Sequence, residues 1–383
     1  MNISKVSRKA RLLSSVVLCS LVMLLATIDV NSAKTSRYFD GSISAKSAVL
    51  IDADSRKVLF RKNPDIPLGE ASTTKIMTAL VVSEHIDMDK KVSVHADAIG
   101  IEGSSVYLCE GEILTVRDLL YALLLESAND AAVALAIECS GSVEAFAEEM
   151  NNRANSLGLA NTYFKNPHGL SDDGHYTTAY DLALISAAAL ERDELREIFS
   201  STKATIPCKV SSDTPGGEGV RYLHNHNKML SLYKGAIGMK TGFTKATGRC
   251  LVSAAKRDDL TLIAVTLNAP SDWHDHTAML DFGFSNYERV TLYDVGEFKY
   301  SYPVSGGLEG YVTATNAKPL ALTLPRSEYD VKEYVEFPQR FEIAPIDGGV
   351  ELGCITLSYG DSSVSSPLIA AYSVQSASRR KRR

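Results

Sequence analysis

Apolar and polar positions alternate with different rhythms along this chain, and the changes of rhythm mark its elements. Residues 48–51 and 58–60 are apolar runs separated by Asp52-Ala53-Asp54-Ser55, the pattern of a β-hairpin. Pro67 and Gly69 then precede the stretch 70–80, in which Ile76, Met77, Leu80 and Val81 predict a buried helix with Ser72 in its first turn. Residues 91–114 are short, turn-rich and strand-like. Thr115-Val116-Arg117-Asp118 has the form of a capping box opening an apolar helix through Leu125, and a second helix starts near Asp130. Helices are expected from 143 to about 157, where Gly158 closes the turn, and over 178–190. After a polar excursion over 200–219, the β-rich runs 249–255 and 260–267 form an antiparallel hairpin beside the segment 238–244. Residues 279–284 predict a short last helix. Beyond about 287 the rhythm is alternating, as in 311–315, 320–324 and 354–358, with Pro and Gly between, so a small all-β domain is expected over 287–375.

Composition changes the picture only at the ends. The chain has 383 residues with 45% apolar and 22% charged, an ordinary globular balance. Residues 1–33 differ: Lys5, Arg8, Lys9 and Arg11 precede an apolar run over 12–28 and then Val30-Asn31-Ser32-Ala33. That is the form of a signal peptide cleaved after Ser32 or Ala33. An uncleaved anchor is the alternative, since the run approaches spanning length, and either reading exports the remainder to the outer face of the membrane or beyond. The expected organisation is therefore a leader over 1–33, a catalytic domain over 34–286, a β-rich domain over 287–375 and a basic tail over 376–383.

Net charge is −6, although Arg379, Arg380, Lys381, Arg382 and Arg383 are all basic, so the body is more acidic still and excludes nucleic acid as a partner. The tail is suited to an anionic membrane surface or wall polymer, or is a solubilising end. The six cysteines (19, 109, 139, 208, 250 and 354) show no Cys-x-x-Cys or Cys/His spacing, and read as buried thiols without a disulfide framework or metal site. No Gly-rich phosphate loop or other cofactor pattern occurs.

The chemistry lies in three short motifs. Ser72 and Lys75 are one helical turn apart, and a desolvated lysine near a second cation can take a proton from a serine hydroxyl. Ser-x-x-Lys alone is weak, for it also begins at Ser200, Ser231, Ser253 and Ser378. Ser127-Ala128-Asn129 and Lys240-Thr241-Gly242 each occur once, and their order after Ser72 singles it out.

With the flanking segments 71–80, 127–132, 166–170, 175–182 and 240–244, the chain resembles the serine-type D-alanyl-D-alanine carboxypeptidases, low-molecular-mass penicillin-binding proteins, over roughly 40–370. The resemblance implies an α+β, β-lactamase/transpeptidase-like catalytic domain followed by the all-β domain. It also implies a peptidoglycan stem peptide ending in D-Ala-D-Ala as substrate and β-lactam antibiotics as acylating inhibitors. Ser72 is then the nucleophile, Lys75 the base and Ser127 the relay to the leaving amine. Asn129 holds substrate and Lys75, while Lys240 and Thr241 meet the terminal carboxylate. Gly242 admits the strand close to the ligand, and the N–H groups of Ser72 and Phe243 form the oxyanion hole. Many relatives end in an amphipathic anchoring helix, which this basic tail lacks. Many also carry an arginine where this chain reads Ser271-Asp272-Trp273-His274-Asp275-His276, and Arg249 is the candidate replacement as carboxylate clamp.

His168 suggests a Ser-His-Asp triad, but a lysine already occupies the base position and no Gly-x-Ser-x-Gly elbow exists, so it reads as a loop residue shaping the cleft wall. A serine β-lactamase is the second reading. It needs a carboxylate to activate the deacylating water, and the loop over 166–176 offers only Asp172 and Asp173. A catalytically silent wall-binding or antibiotic-sensing module is the third. The full set of polar motif residues argues against it.

Overall fold

The computed structural model describes residue 39 and residues 42–209, 218–327 and 329–377. The leader expected over 1–33 and the basic residues Arg379 to Arg383 lie outside the described residues. The strands are β1 (Ser47–Asp52), β2 (Val58–Lys62), β3 (Lys91–Ser93), β4 (Ile113–Thr115), β5 (Lys203–Lys209), β6 (Glu218–His224), β7 (Ala236–Gly238), β8 (Thr241–Thr244), β9 (Gly248–Arg257) and β10 (Leu260–Leu267). The helices are α1 (Lys75–His85), α2 (Val116–Leu125), α3 (Asn129–Ser140), α4 (Val143–Ser156), α5 (Ala179–Leu190), α6 (Asp193–Ser200), α7 (Met229–Leu232) and α8 (Asp272–Asn286).

The central sheet is antiparallel in the order β2-β1-β10-β9-β7, with β8 also on β9. β1 is buried along its whole length, and β9 and β10 over most of theirs, because helices cover the sheet. That is why their sequences read as continuous apolar runs. α1 is buried from Lys75 through Ser83 in a core that includes Leu120, Leu124, Val133, Ile185 and Val265. Burying a leucine or isoleucine there stabilises the fold by about 1.5–3 kcal/mol per side chain. The capping box at Thr115 and Asp118 forms as expected, opening α2.

From Tyr287 the chain is all strand: β11 (Tyr287–Tyr293), β12 (Lys299–Ser305), β13 (Tyr311–Asn316), β14 (Leu320–Pro325), β15 (Lys332–Glu336), β16 (Glu342–Ile343), β17 (Glu351–Tyr359) and β18 (Ser362–Ala370). β11 pairs with β14, and the others form a sheet in the order β15-β17-β18-β13-β12-β16 around Tyr302, Val312, Leu322, Ile355 and Leu368. This is the α+β fold with an all-β C-terminal region that the resemblance implied. The β11–β14 pair is fastened to the first hairpin by Asp52, fully buried, which accepts from Thr323 Oγ1 and, at 3.4 Å, from Arg289.

Four expectations need correction. α8 begins at Asp272, not near 279, because Asp272, Asp275 and His276 are buried with tertiary partners despite their polarity. Ser44 and Ala45 donate to Asp275, Arg249 to Asp272, and His276 bonds Thr266. The polar excursion contains a real hairpin, β5–β6, whose strands pair only with one another among the described residues. Ser72 sits in a 3-10 turn, Ala71–Thr74, just ahead of α1 rather than inside it. Of the thiols, Cys250 alone is buried among the described residues; Cys109 is exposed and Cys139, Cys208 and Cys354 are half-buried.

Candidate active site

The three motifs converge where backbone strain collects. Ala71 (φ 51°), Ser127 (φ 61°) and Met239 (φ 96°) are non-glycine residues with positive φ, and each precedes or begins a motif. Such conformations cost about 1–3 kcal/mol each and persist where surrounding contacts impose them. Here they turn Ser72, Ser127 and Lys240 out of regular elements.

Lys75 is the hub. Its side chain is wholly buried and its Nζ donates to Ser72 Oγ at 3.1 Å, to Asn129 Oδ1 at 2.7 Å and to the His168 carbonyl at 2.7 Å. Burial, and then the nearby Lys240, push its pKa well below the usual lysine value, with Asp130 opposing. Both effects favour the neutral amine, and the nitrogen faces the serine hydroxyl. Lys240 is also buried, and desolvation lowers its pKa to about 7. Its Nζ donates to the Thr241 carbonyl at 2.9 Å.

Asn129 opens α3 and is held from both sides. Its Nδ2 donates to the Glu102 carbonyl and its N–H to the Ser104 carbonyl, both without slack. Asp130 accepts from Ser105 Oγ, Val106 N and Leu108 N, so the loop 102–108 is sutured to the second motif. Ser127 is buried. The third motif lies on the edge strand β8. A Cβ at Gly242 would lie 2.8 Å from the Glu70 carbonyl oxygen and 3.1 Å from Ser72 N, so only glycine lets β8 lie flush on the Ala71–Thr74 turn. Phe243, next along β8, pairs with Arg249 on β9. The Arg249 side chain is 43% exposed, and its guanidinium is fixed by Asp272 (Nε 3.0 Å, Nη2 2.9 Å) beside the Trp273 ring.

His168 contributes its carbonyl, not its ring. Burial and then Lys75 lower its pKa to about 3, so the ring is neutral, and its Nδ1 accepts from Leu170 N at 3.2 Å. Gly169 (φ 82°) allows the close approach, since a Cβ there would lie 1.9 Å from the Ala71 oxygen. Sequence reasoning missed this carbonyl contact and a buried pair, Glu70 and His175, behind the turn. A backbone acceptor leaves no side-chain signal, and a pair 105 residues apart leaves none by spacing.

Residues 31–271 match the D-alanyl-D-alanine carboxypeptidase family. The chain is 34% identical to the D-alanyl-D-alanine carboxypeptidase DacF of Bacillus subtilis, over 94% of this chain and 93% of that one. It is 32% identical to DacC of Escherichia coli, over 87% and 85%. Among solved structures, penicillin binding protein 5 from Haemophilus influenzae superposes with a TM-score of 0.72 at 28% identity, covering 88% of this chain and 98% of that one. The fold and these matches thus define a penicillin-binding serine hydrolase. The chain belongs to the D-alanyl-D-alanine carboxypeptidase family.

Proposed function

We propose that this protein removes the terminal D-Ala from peptidoglycan stem pentapeptides through an acyl-enzyme on Ser72. The observation that carries the reading is Lys75 Nζ, buried, with a lowered pKa, and 3.1 Å from Ser72 Oγ. Neutral Lys75 takes the hydroxyl proton as Ser72 Oγ attacks the carbonyl of the penultimate D-Ala. The tetrahedral oxyanion is received by the N–H groups of Ser72 and Phe243, where the flush packing of Gly242 brings the two backbones together. As the C–N bond breaks, the proton passes through Ser127 to the departing D-Ala amine. Lys240, Thr241 and Arg249 hold the terminal carboxylate, and water then hydrolyses the ester. A β-lactam follows the same first step but keeps its leaving nitrogen tethered, so the adduct lasts.

The protein would act on the outer side of the cytoplasmic membrane, where peptidoglycan lies, carried there by the leader over 1–33. Trimming of stem peptides is a means of setting cell shape. The described residues contain no helix long and apolar enough to cross a membrane. Surface contact would fall to the five basic residues of the tail, which favour an anionic lipid or wall polymer. We divide the chain functionally at 286/287, where α8 ends and β11 begins.

The test combines two measurements on the mature protein. D-Ala should be released from a pentapeptide ending in D-Ala-D-Ala, and mass spectrometry should place one penicilloyl group on the peptide containing Ser72. An adduct on Ser127 or Ser231, or full activity in Ser72→Ala, would overturn the assignment. Rapid turnover of penicillin would favour the β-lactamase, and penicillin binding without D-Ala release the silent sensor.

A further inference from the structure

Directly behind the nucleophile turn lies a polar cluster that the reaction scheme does not use. Glu70, the residue before the Ala71–Thr74 turn, is completely buried, and His175 and Thr74 are buried against it. His175 Nε2 is 2.9 Å from Glu70 Oε1, Thr74 Oγ1 donates to the same oxygen at 3.0 Å, and Lys165 N–H donates to His175 Nδ1 at 3.2 Å. The last bond fixes the tautomer: an accepting Nδ1 leaves the proton on Nε2, which donates to the carboxylate. Glu70 Oε2 is buried and finds no donor among the described residues. A carboxylate kept half-satisfied away from water destabilises a fold by about 1–3 kcal/mol or more, so an apolar residue would serve stability better.

What the cluster joins is specific. On one side, the Glu70 carbonyl accepts from Thr73 and abuts Gly242 of β8, so Glu70 fixes the strained Ala71 and the direction of the Ser72 N–H. On the other side, His175 holds the segment that begins at Lys165. That segment is sewn to the nucleophile turn and the start of α1 by Thr78 Oγ1 donating to the Pro167 carbonyl, by Lys75 Nζ donating to the His168 carbonyl, and by Gly169 against Ala71. Two groups that catalysis needs in register, the oxyanion N–H and the carbonyl that aims the base, thus hang from opposite ends of one hydrogen-bonded pair.

We propose that Glu70 and neutral His175 are positioning residues for acylation, tying the Ser72 turn to the His168 carbonyl that orients Lys75. The inference rests on the acyl-enzyme reading above. Displacement of reacting groups by about 1 Å lowers rates by roughly a hundredfold, so Glu70→Ala should slow the acylation rate constant for penicillin by roughly ten- to a hundredfold. The non-covalent penicillin affinity should hold, because both side chains are buried. Glu70→Gln keeps an acceptor of the same length and should recover most of the rate. His175→Phe keeps the edge-on ring packing against Phe164, at 5.7 Å between centroids, but loses the ring's contacts with Glu70, Thr74 and Lys165 N. It should therefore be as slow as Glu70→Ala, and the double variant little slower than either single one.

The experiment is saturation kinetics of acylation by a fluorescent penicillin on the full-length protein, separating the rate constant from the binding constant, with thermal melts alongside. Lower melting points with an unchanged acylation rate constant in the folded protein would make the pair a merely structural device and overturn the proposal. A Glu70→Gln variant as slow as Glu70→Ala would also overturn it, since charge and not the hydrogen bond would then matter. A wild-type protein that penicillin does not acylate would instead sink the acyl-enzyme reading, and this inference with it.

Discussion

Lys75 Nζ donates to Asn129 Oδ1 across 2.7 Å, the shorter of its two side-chain hydrogen bonds. An amide oxygen accepts from a lysine whether it is neutral or charged, so Asn129 orients Lys75 without favouring its protonated form strongly. A carboxylate there would do the opposite, adding to the pull of Asp130, which already raises the Lys75 pKa against burial and Lys240.

Asn129→Asp should therefore raise the Lys75 pKa and favour the ammonium form. Penicillin acylation is expected to fall by roughly tenfold or more near pH 7, and to recover as the pH is raised. The measurement is the acylation rate constant against pH. An acid limb in the wild-type position would show that Lys75 is not the base.

Lys240 supplies a second test, with a sign that separates activity from stability. By sequence it belongs only to the third motif, yet in the fold it lowers the Lys75 pKa, and desolvation lowers its own to about 7 from 10.5. A lysine with a depressed folded pKa binds fewer protons than in the unfolded chain between those two values, so stability rises with pH across that window. The contribution is complete above about 10.5 and lost as the pH falls through about 7. Lys240→Met should flatten the rise in melting temperature between pH 7 and 9 and be the more stable protein at pH 7. Its acylation limb should shift to higher pH, because Lys75 loses a repelling neighbour. A melting temperature that climbs as steeply in the variant would exclude Lys240 as the titrating group.

Much of this site is legible in the chain itself, and the reasons are physical. Ser72 and Lys75 are a helical turn apart, and the hairpin beside which Lys240 to Gly242 lie announces itself by two apolar runs, β9 and β10. What the pattern hides are polar residues with distant partners. Asp272, Asp275 and His276 read as a loop because periodicity takes polar residues as exposed, yet their partners Arg249, Ser44 and Thr266 draw them inside and start α8 early. The β5–β6 hairpin is hidden for the converse reason. It packs as a two-stranded element with Val220 and Tyr222 exposed, so no clear apolar face marks it. The strain at Ala71, Ser127 and Met239 leaves no mark on residue type at all.

Arg249 is where the same α8 start changes an expectation most directly. Directly opposite Phe243 on the neighbouring strand, it lies one strand away from the Lys240 motif, and Asp272 grips its Nε and Nη2. That grip orients the guanidinium beside the Trp273 ring and commits one edge of it, leaving the rest for a ligand. A charge-assisted hydrogen bond to a substrate carboxylate contributes about 1.5–3 kcal/mol when buried, and less at a side chain that is 43% exposed. Arg249→Ala should accordingly lower kcat/KM for peptides ending in D-Ala-D-Ala by roughly tenfold, toward the low end of a ten- to hundredfold range. Asp272→Asn, which loosens the guanidinium without removing it, should give a smaller loss in the same direction. The defect should shrink for a substrate whose terminal carboxylate is amidated, because the partner is then missing in both proteins. Equal losses on both substrates would mean that Arg249 supports β9 and α8 through Asp272 and not the carboxylate. No loss on either would leave Lys240 and Thr241 holding the carboxylate unaided.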